Sequence, residues 1–264
     1  MTDTLLAAEL MKAAVGGVSK SQLSRTFKEA YGCTDGDIER LIDLCNFKSK
    51  PKHIDYQGFY TLPVTQKAQR IYYPFTQVYK QDNFLSQQEC LDLIEIIEKT
   101  LRPSTVSDPG DMCTVSDYRT SKTSDLHYFD NSFFLDIDKK IANFMDLTPF
   151  SGETMQAQKY EPGQYYKEHW DFFMPATKEY KVYCDWMGQR TWTTMIYLND
   201  VEEGGETYFK HLNLKIKPRQ GTLITWNNLY KNGLPNPKTM HEACPPVSGP
   251  KFVITKWWRS YSLI

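Results

Sequence analysis

The chain has 264 residues, enough for one large domain or for one domain with a small appendage. Its formal net charge of -1 favours neither a nucleic acid nor an anionic membrane as a partner. No uncharged apolar run approaches the ~20 residues needed to span a bilayer, and the N-terminal stretch does not resemble an export signal. We therefore expect a cytoplasmic protein that binds neither membrane nor nucleic acid.

The cysteines are scattered along the chain without a CxxC pair, which argues against a zinc cluster. In a reducing compartment we expect free thiols rather than disulfides. The six positions are Cys33, Cys45, Cys90, Cys113, Cys184 and Cys244.

The first part of the chain predicts a small helical region. Up to about residue 48 there are three short apolar stripes with helical spacing, one of them formed by Leu23, Phe27 and Tyr31. Residues 49–65 mix proline, glycine and charge without a period and predict a linker. We therefore divide the chain into an N-terminal region, 1–65, and a main domain, 66–264. The N-terminal region is either a packing module or a site for a substrate or partner.

Two amphipathic helices are predicted in the first half of the main domain. Ser86 is suited to cap a helix over Gln87 to Lys99, because its hydroxyl can accept a hydrogen bond from a backbone N–H in the first turn. A second apolar stripe predicts a helix over Leu135 to Met145.

From Thr154 onwards the pattern changes to short strands. Runs of alternating, β-branched and aromatic residues are separated by turns rich in Gly and Pro. The runs are MQAQKY, TWTTMIYLND, ETYF, LKIKP, GTLITW and KFVITKWW. The fold class that we predict is α+β: a double-sheet jelly roll (a double-stranded β-helix, as in cupins) with helices packed outside one sheet.

The HWD sequence at His169–Trp170–Asp171 is the sharpest local feature. Residues two apart on a strand face the same side, so this imidazole and this carboxylate can converge on one point. A second histidine from a distant strand would complete a set of two histidines and one carboxylate, which is typical of non-haem Fe(II) oxygenases. An HxD sequence alone also occurs as an ordinary surface pair.

The wider context makes the HWD sequence more specific. YEPGQYYKEHWD is followed in order by RTWTTMIYLNDVEEGGETYF, KPRQGTLITWNN and MHEACPPVSGPKFVITKWW. With these blocks the chain resembles prolyl 4-hydroxylase-type members of the 2-oxoglutarate/Fe(II) dioxygenases, from about Phe75 to the end. The resemblance implies that His169, Asp171 and His241 bind iron.

The same resemblance implies residues for 2-oxoglutarate. Lys251 matches the lysine that pairs with the far carboxylate of 2-oxoglutarate. A buried ammonium would offset the free-energy cost of removing that anion from water. Lys256 is a rival that does not fit the family register. Tyr160 matches a tyrosine that reaches the same carboxylate, and either Thr193 or Thr225 is expected to line the pocket.

Tyr166 and Arg190 match positions that lie at the mouth and contact the peptide substrate in the resembled enzymes. The other two candidate substrate-binding residues are on the last strand: Trp257, which is expected to pack under the site, and Arg259. The last departs from the pattern, because histidine is frequent there in peptide hydroxylases of this type. That departure leaves the identity of the substrate open, though not the metal chemistry.

Two loops are candidates for a lid over the site. One is the segment between Asp171 and Arg190, whose aromatic residues fit either a flexible lid or packing against the helices. The other covers residues 107–118.

The activity implied by the resemblance is hydroxylation of a proline in a peptide or protein. Iron(II) would be the cofactor, 2-oxoglutarate and O2 the cosubstrates and ascorbate a reductant, with succinate and CO2 released. Two alternatives stay open at this point. The substrate could be free proline or another small molecule, or the domain could be a non-catalytic scaffold.

Overall fold

A computed structural model describes residues 28, 34–37, 68–73, 76–106, 117–127 and 131–260. The predicted helical region and linker over 1–65 lie outside the described residues apart from Lys28 and 34–37, so the division at residue 65 stays a prediction. Most of the candidate lid over 107–118 also lies outside them. Among the described helices, none combines the length and apolar composition that a membrane span requires.

Within the described residues from 68 to 260 there are twelve strands and three α-helices. The helices are α1 (Gln87–Glu98), α2 (Ser132–Met145) and α3 (Lys178–Met187). The strands are β1 (Gln69–Tyr73), β2 (Thr76–Gln81), β3 (Arg102–Pro103), β4 (Lys122–Leu126), β5 (Met155–Tyr160), β6 (Tyr166–His169), β7 (Arg190–Tyr197), β8 (Thr207–Phe209), β9 (Leu214–Ile216), β10 (Leu223–Asn227), β11 (His241–Ala243) and β12 (Lys251–Arg259).

These strands form two sheets with antiparallel pairing. The large sheet has the order β1-β2-β10-β7-β12-β5-β4-β3, and the small sheet has the order β6-β11-β8-β9. Several neighbours, such as β2 and β10 or β5 and β12 in the large sheet and β6 and β11 in the small sheet, are far apart along the chain, as in a jelly roll. The predicted α+β fold with a double-stranded β-helix core is confirmed.

Helices α1 and α2 lie against the outer face of the large sheet. Ser86 caps α1 through a capping box with Glu89, as predicted for the start of this helix. Helix α2 begins three residues before the predicted start, because the side chain of Asn131 accepts from the Phe133 N–H and satisfies the first turn. Both helices bury their apolar stripes in one core with residues from β7, β10 and β12.

Successive side chains of β12 point alternately into this helix-side core and into the interior between the two sheets. Phe252, Ile254 and Trp258 pack with the helices, whereas Val253 belongs to the second core, between the sheets. Lys256 also faces the helices, with its ammonium 2.6 Å from Asp138 of α2. Lys251, five residues earlier, therefore faces the interior, and Lys256 does not compete for the same site.

A β-bulge in β7 changes the face of the sheet on which Arg190 lies. Trp258 pairs with Trp192, but the next residue of β12, Arg259, pairs with Arg190, so that Thr191 is the extra residue. A bulge shifts the alternation by one position and re-aims the residues beyond it. Arg190 and Arg259 consequently lie together.

The segment between Asp171 and Arg190 is not entirely a loop, and that part of the prediction is wrong. It contains α3, which Thr177 caps by accepting from the Tyr180 N–H and whose C-cap residue is Gly188, with φ 70°. Thr177 and Gly188, residue types that are common at helix N-caps and C-caps, were the available signals. Phe172 and Phe173 are buried at its root, which accounts for two of the aromatic residues by packing.

Candidate active site

The two histidines and the aspartate of the predicted iron centre lie together at the edge of the small sheet. His169 ends β6 and His241 begins β11, and the two residues are paired across these strands. Asp171 follows two residues after His169. Its carboxylate oxygens lie 3.9 Å from the Nε2 atoms of both histidines. One possible ligand atom from each residue falls within a group no wider than 4.8 Å.

Hydrogen bonds orient both imidazoles towards this common point. The Nδ1 atom of His169 is 2.7 Å from the Lys167 carbonyl oxygen, and that of His241 is 2.9 Å from the Thr239 carbonyl oxygen. Because a carbonyl only accepts, Nδ1 carries the proton in each ring and Nε2 presents its lone pair. Burial lowers the pKa of His169 to about 3, so this imidazole is neutral at physiological pH. The neutral His169 imidazole, a second histidine and a carboxylate form a ligand set that fits Fe(II).

The carboxylate is fixed by a short chain of hydrogen bonds. Thr193 on β7 donates to Asp171 Oδ2 at 2.6 Å, and the Asn228 amide donates to the Thr193 hydroxyl at 2.9 Å. Burial alone would raise the pKa of Asp171, but His241, His169 and this hydrogen bond hold it below its usual range. Asp171 is therefore an ionised ligand with one oxygen already oriented by the protein.

The two threonines predicted for the 2-oxoglutarate pocket are engaged elsewhere. Thr193 supports the metal ligand Asp171 instead. Thr225 donates to the Thr193 carbonyl at 2.8 Å and lies 3.1 Å from the hydroxyl of Thr194, which in turn accepts from the Trp258 indole in the helix-side core. Alternation places Thr225 on the face away from the site, so the geometry does not support the predicted role.

Lys251 is buried in the interior, in register with Tyr160 of the neighbouring strand. Its side chain is 1% exposed, and its ammonium lies 5.2 Å from the Tyr160 ring and 5.7 Å from the Tyr197 ring. Burial lowers the pKa of Lys251 to about 8. Within the described ranges no carboxylate forms an ion pair with this ammonium. A buried cation among tyrosines is suited to receive an anion.

The four residues predicted to contact substrate divide into two groups. Tyr166 stacks on the His169 imidazole, with ring centroids 3.6 Å apart, and the Trp257 ring lies 4.2 Å from the Arg190 guanidinium. Arg190 itself is bound to Glu153 through two N–H groups and donates a third hydrogen bond to the Asp171 carbonyl at 3.2 Å. Tyr166 and Arg190 therefore contact residues of the metal centre directly, and Trp257 packs on Arg190.

Arg259 has a different environment from the one predicted. It is 1% exposed, donates to Glu153 at 2.9 Å and also donates to the Tyr183 carbonyl. In this conformation it contacts Glu153 and the root of α3, and it does not lie open at the mouth of the site. Its contact with substrate stays a prediction.

Sequence reasoning missed three residues that surround the site. Glu153 accepts hydrogen bonds from both Arg190 and Arg259. The Gln189 side chain accepts from the Phe173 N–H at 2.8 Å and donates to the Phe173 carbonyl at 2.7 Å. Arg119 lies over the Tyr166 ring, 4.9 Å from its centroid. Arg119 lies in the run VSDYRTSKTSDL, inside the part of the chain from about Phe75 onwards that resembles the family, and this was the available signal. Nothing in the local sequence distinguishes Glu153 or Gln189.

Comparisons with known proteins agree with this geometry. Residues 155–259 match the 2OG-Fe(II) oxygenase superfamily. Prolyl 4-hydroxylase 13 of Arabidopsis thaliana is 32% identical over 204 residues, which cover 69% of this chain and 71% of that relative. Prolyl 4-hydroxylase subunit alpha-2 of Gallus gallus is 31% identical over 175 residues, covering 66% of this chain but only 32% of that subunit.

A solved structure extends the likeness to three dimensions. The viral collagen prolyl hydroxylase of Paramecium Bursaria Chlorella virus-1, in its 2-oxoglutarate complex, aligns with a TM-score of 0.54 and 30% identity, covering 69% of this chain and 95% of that chain. The two-sheet fold and the centre of two histidines and one carboxylate define a 2-oxoglutarate- and Fe(II)-dependent oxygenase. Within that superfamily the chain belongs to the prolyl 4-hydroxylase-type enzymes. Its cofactor is Fe(II), and its cosubstrates are 2-oxoglutarate and O2.

Proposed function

We propose that this enzyme hydroxylates the 4-position of a proline within a peptide or protein. In the balanced reaction, O2 and 2-oxoglutarate yield succinate and CO2, one oxygen atom enters succinate, and the other is inserted into the proline C–H bond. The observation that carries the proposal is the buried ammonium of Lys251 beside Tyr160 in the interior between the sheets. Tyr166, which stacks on His169, and Trp257, which packs on Arg190, support it.

The residues of the chain have separate tasks in this reaction. His169, Asp171 and His241 would hold iron, which supplies the oxidative chemistry when it is bound with 2-oxoglutarate. Lys251 would pair with the far carboxylate of 2-oxoglutarate, with the Tyr160 hydroxyl beside it. Two aromatic rings near the centre, those of Tyr166 and Trp257, suit the flat, apolar face of a proline ring.

Mass spectrometry of a proline-rich peptide tests this proposal. The enzyme is incubated with Fe(II), 2-oxoglutarate, ascorbate and the peptide, and in parallel with free proline in place of the peptide. We expect the gain of one oxygen atom on a peptidyl proline, with an equal amount of succinate. His169→Ala should abolish both. Oxidation of free proline but of no peptide would assign a small-molecule hydroxylase instead, and failure to consume 2-oxoglutarate with either would favour a scaffold.

A further inference from the structure

The tryptophan of the HWD sequence forms a hydrogen bond that reaches the other side of the metal centre. Trp170 comes directly after the last residue of β6, and its indole N–H donates to the Pro237 carbonyl at 3.0 Å. Pro237 begins a short 3-10 turn, Pro237–Thr239, which lies just before His241. The residue between the first two candidate ligands is therefore bonded to the turn that leads into the third.

Hydrogen bonds within the loop fix the position of this turn. The Asn236 side chain accepts from the Lys238 N–H at 3.1 Å, and the Thr239 hydroxyl donates to the Asn236 carbonyl at 2.8 Å. The Asn236 N–H donates to the carbonyl of Asn228, which follows β10 directly, at 2.9 Å. Asn236 and Thr239 are both fully buried. The turn therefore has a defined position relative to the large sheet.

Two carbonyl oxygens of the turn act on the candidate ligands. The Pro237 carbonyl accepts from Trp170 and also from the Met240 N–H at 3.2 Å, which uses both of its lone pairs. The Thr239 carbonyl lies 2.9 Å from the Nδ1 atom of His241 and orients that imidazole. The same turn thus holds the segment of the first two ligands and sets the direction of the third.

Strand pairing alone does not fix the distance between the ligands. Strand β6 ends at His169, so Asp171 lies beyond the last paired residue, and the pairing of β6 with β11 is irregular beyond the His169–His241 pair. Thr193 holds the Asp171 carboxylate from β7. The Trp170 bond joins the same segment to the side of the site that carries His241.

The hydrogen bond of Trp170 can be separated from its packing. The indole ring stacks with that of Phe172, with centroids 5.6 Å apart. A phenylalanine at position 170 would keep an aromatic ring for this contact, but it has no N–H group to donate to Pro237. The substitution Trp170→Phe therefore removes the connection to the turn while it keeps an aromatic side chain beside Phe172.

We propose that Trp170 is a positioning residue for the iron centre. Its indole hydrogen bond keeps the HWD segment beside the turn that leads into His241, so that the three ligands are assembled before the metal binds. Such preorganisation strengthens binding, because less conformational freedom is lost when the ligands close on the ion. This inference rests on the proposed metal ligands, and it does not depend on proline as the substrate.

Anaerobic titration of Trp170→Phe with Fe(II) tests the proposal. We expect the variant to bind Fe(II) about fivefold more weakly than the unaltered enzyme, which is the factor that one net hydrogen bond typically contributes. In the metal-free variant, amide exchange should be faster over residues 236–243, and saturating Fe(II) should slow it again because the ion then joins the two segments. A residue that served only general stability would speed exchange in the helix-side core as well.

Two further variants locate the effect. Thr239→Val removes the hydroxyl that fixes the same turn from its other side, and it should also weaken Fe(II) binding. In the double variant the loss should be smaller than the product of the two separate losses, since both act through the turn. If Trp170→Phe fails to fold, the titration and amide exchange of Thr239→Val decide the question.

Trp258→Phe is the matched control, because it also removes an indole hydrogen bond. This indole donates to the Thr194 hydroxyl at 2.9 Å in the helix-side core, away from the turn. We expect Trp258→Phe to lower the free energy of unfolding and to leave the affinity of the folded protein for Fe(II) unchanged.

The outcomes separate this inference from the proposed function. Unchanged Fe(II) affinity in both Trp170→Phe and Thr239→Val would overturn the positioning role and leave prolyl hydroxylation standing. Equal losses of affinity in Trp170→Phe and Trp258→Phe would also overturn it, by assigning the effect to general stability. Weaker Fe(II) binding in Trp170→Phe but not in Trp258→Phe, without hydroxylation of any proline by the unaltered enzyme, would support the positioning role and overturn the proposed reaction.

Discussion

Asp171 depends on a neighbouring hydroxyl for its orientation. Thr193 donates to Oδ2, so that the other oxygen keeps its lone pairs for the metal. We expect Thr193→Val to weaken Fe(II) binding by roughly tenfold, because groups that orient metal ligands typically contribute 10- to 100-fold in affinity. Anaerobic titration with Fe(II) measures the effect.

A second threonine on β7 serves as the control for this variant. The substitution Thr191→Val also removes a buried hydroxyl, but this hydroxyl donates to the Trp258 carbonyl and not to a metal ligand. Thr191→Val should therefore keep the affinity for Fe(II). Equal losses in the two variants would show that Thr193 acts only on general stability.

Lys251 makes the affinity for 2-oxoglutarate depend on pH. The lysine must be protonated to pair with a carboxylate, and burial lowers its pKa from 10.5 to about 8. We expect 2-oxoglutarate to bind more weakly as pH rises above 8, approaching tenfold per pH unit for one coupled proton. Lys251→Met should bind the cosubstrate weakly at all pH values and lose this dependence. A titration of the anaerobic Fe(II) enzyme with 2-oxoglutarate follows both.

The stability of the unloaded enzyme should change with pH in the opposite direction. Since the folded state lowers the pKa of Lys251, the unfolded chain binds more protons between pH 8 and 10.5. This residue therefore contributes an increase in the free energy of unfolding as pH rises through that window. The increase should be smaller in Lys251→Met, and identical pH profiles for the two proteins would contradict the assignment.

At the level of secondary-structure elements, the Gln189 side chain connects the two ends of the segment that contains α3. Gln189, just after the helix, accepts from the Phe173 N–H and donates to the Phe173 carbonyl, which ties the two ends of the segment together. Gln189→Ala leaves two backbone groups without partners, at a cost of about 1 to 3 kcal/mol each if they remain buried. We expect faster amide exchange over residues 172–188 and a higher KM for the peptide.

Hydrogen exchange read by mass spectrometry localises this effect. Gln220→Ala is the control, because its amide donates to the Leu198 carbonyl away from α3. Exchange that stays slow over residues 172–188 in Gln189→Ala would show that the packing of Phe172 and Phe173 alone holds the segment.

At the scale of the whole molecule, a buried ion pair joins the helical layer to the large sheet. Lys256 of β12 and Asp138 of α2 are both fully buried and 2.6 Å apart. Removing one partner strands the other charge, so Lys256→Met should lower the free energy of unfolding by about 3 to 5 kcal/mol. Chemical denaturation measures this loss. The affinity of the folded protein for 2-oxoglutarate should stay unchanged, because Lys256 faces away from the interior.

A second substitution separates the ion pair from ordinary packing. Adding Asp138→Leu to Lys256→Met removes the stranded carboxylate and should recover most of the lost stability. A double variant as unstable as the sum of the two single variants would assign the loss to packing.

Elements with strong local signals could be predicted from the sequence. Ser86 and its capping box placed the start of α1, and alternation placed β5, β10 and β12 close to their observed bounds. The HxD spacing placed two candidate ligands on one face, and resemblance over several blocks supplied His241, Lys251 and the enzyme family. These features depend on neighbouring residues or on ordered motifs, which a sequence displays directly.

Contacts between side chains that are distant in the sequence depend on the assembled fold. The bulge at Thr191 brings Arg190 beside Arg259, and Glu153 joins them from a turn that carries no motif. In the assembled sheet, alternation places Thr225 on the face away from the site, whereas Thr193 lies on the face where it donates a hydrogen bond to Asp171. The physical reason is that strand pairing and register are long-range properties: a shift of one residue moves a side chain to the other face of the sheet, and no local pattern records that shift.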